Sequence, residues 1–305
     1  MRVLANSIPK SGTHLLLRLL TLLDFDLVDF GGVTPRVVSE RKENAAHRTM
    51  RKVLGTREPG KFLGIGPHLL EGGRFPAARE LIRTRGSDKI TVGVEFPREI
   101  GRRWLERRLN RVPDDSVVSA HCVYTQGFGD LLSEQKMRTV CIIRDPRDTA
   151  VSHMHYVKQR PRHRAYKEYM ALPNDHERLM ASIRGGKLGP HTLHPLDERY
   201  RRFLGWEREG GAVTVKFEDL VGPKGGGSEE AQRAAVVRIV DHLGLDVGDR
   251  TVGAIQERLF GSGRTFRKGQ TGGWKQEFSE EHREAAREVA GELLVELGYE
   301  RSTDW

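Results

Sequence analysis

With 305 residues, 37% of them hydrophobic, the chain is long enough to bury one large core and is read as a single domain over residues 1–305. Its 51 Lys and Arg against 42 Asp and Glu leave a net charge of +9, which asks for an anionic partner without choosing among nucleic acid, acidic lipid, a phosphorylated cofactor and a sulfated glycan. Cys122 and Cys141 lack the paired spacing of a zinc site and are read as reduced core residues.

Apolar runs beginning at Arg2, Ile90, Val117, Thr139 and Val213 alternate with helix-like stretches. The pattern predicts an α/β fold with a central, mainly parallel sheet flanked by helices. At the start, Arg2 to Ser7 reads as a strand, Ile8 to Thr13 as a tight loop, and His14 to Leu23 as an amphipathic helix. That helix carries Arg18 and is too short for a bilayer. No signal peptide or span is visible, so a cytoplasmic location is expected.

A helix start of this kind presents unpaired N–H groups and a positive dipole end to phosphate oxygens. Lys10, Ser11 and Thr13 would add donors. The order Pro9-Lys10-Ser11-Gly12-Thr13-His14 departs from the Walker A motif, because the lysine precedes the glycine. A capped helix with a surface lysine explains the same residues, and the loop by itself leaves both readings open.

Farther on, five arginines lie between Arg102 and Arg111. They read as a solvated helix face or as a basic docking surface. Arg138 to Ile143 predicts a central strand running into a helix through Arg144-Asp145-Pro146-Arg147-Asp148. Helix initiation accounts for Asp145 as N-cap, Pro146 at the first position and Asp148 beside the positive dipole end. It leaves Arg144 and Ser152 unexplained. An arginine at the carboxyl end of a parallel strand stands where open α/β sheets bind ligands, and its fork matches a phosphate. Gly225 to Gly227 reads as a flexible surface loop. Near the end, Phe266-Arg267-Lys268-Gly269-Gln270-Thr271-Gly272-Gly273-Trp274-Lys275 sets two cations beside glycines, which suits close wrapping of a phosphate.

Together these segments resemble the family of sulfotransferases that use 3′-phosphoadenosine 5′-phosphosulfate (PAPS). That family carries Pro-Lys-Ser-Gly-Thr early, Arg-x-x-x-Asp-x-x-Val-Ser in the middle and Arg-Lys-Gly-x-x-Gly-x-Trp-Lys late. Phe217-Glu218-Asp219-Leu220 is similar to its Tyr-Glu-Asp segment. The resemblance implies a P-loop-like nucleotide-binding core in which Lys10, Ser11, Gly12, Thr13 and His14 hold the 5′-phosphosulfate. It also implies that Arg144, Ser152, Arg267, Lys268 and Gly269 hold the 3′-phosphate, with Phe217 among the cofactor contacts and Trp274 beneath the loop. His121, after Val117 to Ala120, stands where the family has its catalytic base, and Lys10 would act on the bridging oxygen. No metal is required.

The implied reaction carries a sulfuryl group to a hydroxyl of a small-molecule, lipid or carbohydrate acceptor by in-line displacement, releasing the desulfated nucleotide PAP. Leu15 stands where the family has its adenine-stacking tryptophan, Ser119 replaces a lysine, and Phe217 replaces a tyrosine. Leu259 and Phe260 are candidates for apolar cover of the base. The unmatched stretches 31–89 and 158–195 are expected to shape the acceptor mouth and a lid, and their basic character favours an acidic acceptor. A P-loop-type kinase and a non-catalytic basic binding protein stay open as alternatives. No nucleic-acid partner is expected, and peripheral membrane contact is left open.

Overall fold

The computed structural model describes residues 1–29, 36–37, 88–95, 97–161, 163, 165–260 and 269–305. The chain lays down β1 (Arg2–Ser7), helix α1 (Thr13–Leu22), β2 (Asp26–Asp29), β3 (Arg36–Val37), β4 (Lys89–Val92), β5 (Arg98–Gly101), β6 (Ser116–Ala120) and β7 (Met137–Ile143). Helix α2 (Pro146–Lys158), β8 (Gly186–Leu188), β9 (His191–Leu193) and β10 (Val213–Lys216) follow, with further helices between and after them. The main sheet has the order β10-β7-β1-β6-β2-β3. Its first five strands run parallel and β3 is antiparallel at the edge.

Strand β1 is buried on both faces, as a central parallel strand between two helix layers must be. Its side chains alternate between two cores. Leu4 and Ile8 join one apolar cluster with Cys141 and Ile143, while Val3 and Ala5 join another with Val140 and Ile142. Helix α1 covers the second cluster with Leu15, Leu16, Leu17, Leu19 and Leu20. Each such leucine contributes roughly 1.5–3 kcal/mol by leaving water. Cys122 and Cys141 are buried free thiols, as expected, and burial pushes the Cys141 thiol far up.

The run at Ile90 departs from expectation. Among the described residues β4 pairs only with β5, in a separate antiparallel hairpin, and the fifth parallel strand is the short β2. Apolar alternation is the same for a hairpin strand and a sheet strand, so it could not separate the two. The stretch 158–195 is packed into the fold. Its helix Asp175–Arg184 packs between α2 and the helix Glu280–Glu296. The stretch 31–89 lies almost wholly outside the described residues. In the arginine-rich helix Arg102–Leu109, Arg102 pairs with Asp88 and Glu134 and Arg108 stacks on Trp104, so part of that charge is spent within the fold.

Candidate active site

Parallel strands deliver their carboxyl ends to one edge, and there the loop Ile8–Gly12, His121, Arg144 and Phe217 converge. Lys10 adopts a left-handed backbone (φ 74°), at about 1–2 kcal/mol for a residue with a Cβ. Gly12 opens α1 at φ 102°, and a Cβ there would lie 2.5 Å from Cδ2 of Phe217, so glycine is required twice over. The amides of Thr13 and His14 begin the helix and have no acceptor within it. Ser11 stands in the same loop. Its fully buried hydroxyl lies 2.7 Å from the Ile8 carbonyl and 2.9 Å from that of Ile142, and its amide bonds Ile8, so the residue ties the loop to β7.

His121 directly follows β6 and faces this loop. Its Nδ1 lies 2.8 Å from the Ser7 carbonyl and 3.1 Å from Ser7 Oγ, which itself bonds Thr13 Oγ1 at 2.7 Å. A carbonyl only accepts, so Nδ1 carries the proton and Nε2 keeps a lone pair. The residue is exposed at the surface, yet the protein packed around its ring desolvates it. Desolvation lowers its pKa below the usual imidazole value; the Ser7 carbonyl opposes this, and His14 and Lys10 add to it. At neutral pH the ring is therefore a neutral acceptor. Its placement depends on Asn6, whose side chain brackets Cys122 by donating to the carbonyl (2.9 Å) and accepting from the amide (3.0 Å). Trp206 Nε1 donates to the same carbonyl at 2.8 Å. Neither Asn6 nor Trp206 was singled out in the sequence. An asparagine inside a buried apolar strand was the available signal.

At the second junction Asp145 caps α2 as expected, accepting from the Arg147 amide, with Pro146 at the first position. The Arg147 guanidinium pairs with Asp145 and Glu300 and lies between the rings of Trp274 (3.9 Å) and Trp305 (4.4 Å). Arg144 donates to the Gln270 carbonyl at 2.8 Å and lies over the Phe217 ring, while the Tyr200 hydroxyl donates to its carbonyl at 2.7 Å. Its Nε is buried with no acceptor among the described residues. Asp148 does more than complement a dipole. It accepts from the amides of Gly272 and Trp274, both at 2.9 Å, and so straps the late loop against Arg144.

Gly225 to Gly227, expected as a flexible surface loop, form the seat for that strap. The Thr271 amide donates to the Gly225 carbonyl at 3.1 Å, and a Cβ on Gly225 would lie 2.7 Å from the Gly269 carbonyl. Trp274 is buried beneath the loop. Gly269 is thus brought beside Arg144; Arg267 and Lys268 lie outside the described residues. Ser152 is half-buried on α2, one turn beyond Asp148 on the same face. Phe217 is 5% exposed and wedged between Gly12 and Arg144, so its ring supports both segments. Leu15 and Leu259 are turned into the core, which leaves Phe260 as the partly exposed member of the apolar cover.

This arrangement can hold two anionic groups along one sheet edge and deprotonate a hydroxyl beside the first. Residues 2–220 match the sulfotransferase domain family. A search of curated proteins returns no match. Among solved structures, a mouse sulfotransferase complexed with PAP is similar at TM-score 0.55 and 15% identity, covering 96% of this chain and 84% of that one. Retinol dehydratase, in complex with retinol and PAP, is similar at TM-score 0.52 and 17% identity, covering 96% and 81%. The same dehydratase with androsterone and PAP gives TM-score 0.51 and 17% identity, covering 96% and 80%. At these identities the structures establish a shared fold.

Proposed function

Because the chain belongs to the sulfotransferase domain family, we propose that it carries a sulfuryl group from PAPS to a hydroxyl of an acceptor and releases PAP. The observation that carries this reading is the meeting of a lysine-bearing phosphate loop with a histidine whose Nδ1 proton is committed to Ser7. PAPS supplies the activated sulfuryl group. Lys10 and the Thr13 and His14 amides stabilise charge growing on the leaving phosphate oxygen. His121 takes the acceptor proton at Nε2.

Arg144, with its unpaired buried Nε, fits an anion, and together with Ser152, Gly269, Arg267 and Lys268 it is assigned the 3′-phosphate. This scheme gives Ser11 and Phe217 the task of holding the two segments in place. The neighbours that bind retinol and androsterone support a hydroxyl-bearing acceptor for this chain too. A cytoplasmic location goes with this reading, and no helix among the described residues is long and apolar enough to cross a membrane.

Thermal unfolding with PAP, with AMP and with ATP plus Mg²⁺ tests the proposal. A ligand at about 100 times its dissociation constant adds roughly 2.7 kcal/mol, equivalent to a midpoint shift of several degrees at about 2–4 °C per kcal/mol. A shift with PAP alone is expected. A shift only with ATP and Mg²⁺ would replace the sulfotransferase by a kinase.

A further inference from the structure

Three polar side chains at the first loop form a line with a fixed direction. His121 follows β6, Ser7 is the last residue of β1, and Thr13 is the first of α1. The His121 Nδ1 proton is committed to the Ser7 carbonyl at 2.8 Å, so Nδ1 has no lone pair with which to accept from Ser7 Oγ, 3.1 Å away. Ser7 is fully buried, and among the described residues the other partner of its hydroxyl is Thr13 Oγ1 at 2.7 Å. Were Thr13 the donor of that bond, the Ser7 proton would be buried without an acceptor, which is costly. Ser7 therefore donates to Thr13 and turns a lone pair toward the His121 proton. The half-buried Thr13 keeps its own proton, for which the described residues offer no acceptor. The amide of the same residue opens the phosphate cradle.

We infer that Ser7 is a positioning residue that couples the base to the donor: an anion seated in the first loop captures the Thr13 proton, polarises the line Thr13–Ser7–His121 and makes His121 Nε2 a stronger base. This rests on the reading of His121 as the base and of the first loop as the phosphosulfate site. No proton travels along the line. A hydroxyl that donates more strongly is also a better acceptor, and a better acceptor at Nδ1–H favours the imidazolium that forms when Nε2 takes a proton. Ser7 touches neither substrate and acts through its two neighbours. His14 and Lys10 are the charged or titratable groups whose fields reach His121, and a bound anion raises the imidazole pKa through space as well. Charge and hydrogen-bond line are separated by removing the hydroxyls one at a time.

The His121 pKa is read by NMR of the full chain carrying ¹⁵N-labelled histidine, with the signal assigned through His121→Asn. Parent, Ser7→Ala, Thr13→Val, Thr13→Ser and the Ser7→Ala/Thr13→Val double variant are compared with and without PAP. In the free protein, Thr13→Val removes a group that does not touch His121, yet it should lower the pKa by about 0.3–1, the worth of one hydrogen bond. With Ser7 already alanine, the same substitution should change it by less than about 0.2. PAP should raise the pKa in every protein through its charge, and by about 0.3–1 more in the parent and Thr13→Ser than in Ser7→Ala or Thr13→Val. A Thr13→Val effect of equal size in both backgrounds, the same PAP-induced rise in parent and Ser7→Ala, or a Thr13→Ser protein that behaves like Thr13→Val would each overturn the inference. Failure of PAP to bind the parent would sink the cofactor reading instead, while the comparison in the free protein still judges the line through Ser7.

Discussion

The loops Ile8–Gly12 and Gly269–Gly273 close on the same sheet edge and are fastened by different means. The first is tied to main chain, through Ser11 to the carbonyls of Ile8 and Ile142. The second hangs on one carboxylate, Asp148, whose partners are 124 and 126 residues away in sequence. Main-chain anchors need only a hydroxyl at the right place. The carboxylate gathers two amides and Arg144 at a single point, so its loss would loosen one half of the site and leave the other standing.

The largest effect should come from the chemistry of the first loop. Lys10→Ala and His121→Ala are each expected to lower kcat by about 10²–10⁴, with the PAP-induced thermal shift retained in His121→Ala. Turnover within tenfold of the parent, in folded protein, would strip that residue of its role. Asp148→Asn should act on the second loop. An amide at that position cannot accept from both main-chain donors and Arg144, and the affinity for PAP measured by calorimetry should fall by about 10- to 100-fold, in line with about 1–3 kcal/mol for lost buried hydrogen bonds. If PAP bound Asp148→Asn as tightly as the parent, the loop would not depend on that strap. Ser11→Ala is the smallest of the three. It should lower the unfolding midpoint by a few degrees, from about 1 kcal/mol of lost hydrogen bonding, and leave kcat close to the parent's. A loss of kcat comparable to that of Lys10→Ala would return Ser11 to the ligand.

The same contrast explains what could be read in the sequence. The unit Arg2 to Leu22 is strand, loop and helix within one short stretch, so its periodicity announces the structure and its residue types suggest the phosphate chemistry proposed for it. Arg144 announced itself in the same way, at the end of an apolar run. Asp148 did not, because a carboxylate in the first turn of a helix is already accounted for by the dipole, and its strap is visible only once the fold brings Gly272 to it. Gly225 and Gly227 looked mobile for a similar reason. Close approach of a distant backbone leaves the same glycines as a turn does. Phe217 was carried over as a ligand contact from a segment similarity, while its burial depends on what Gly12 and Arg144 present above it. The strand Asp26–Asp29 has two acidic residues in four, too short and too charged to stand out from a loop.

The clasp around Arg147 has a consequence for biogenesis. Asp145 and Arg147 shape the turn that carries Arg144, yet the rings and the carboxylate that enclose Arg147 include Glu300 and Trp305. The chain emerges N-terminus first during synthesis. While residues 300–305 are still unsynthesised or held in the ribosomal exit tunnel, the loop Ile8–Gly12 can already have its strands, but the arginine turn lacks its final packing. The nascent enzyme thus assembles one half of the proposed site ahead of the other, and the second half waits for residues 300–305 to emerge.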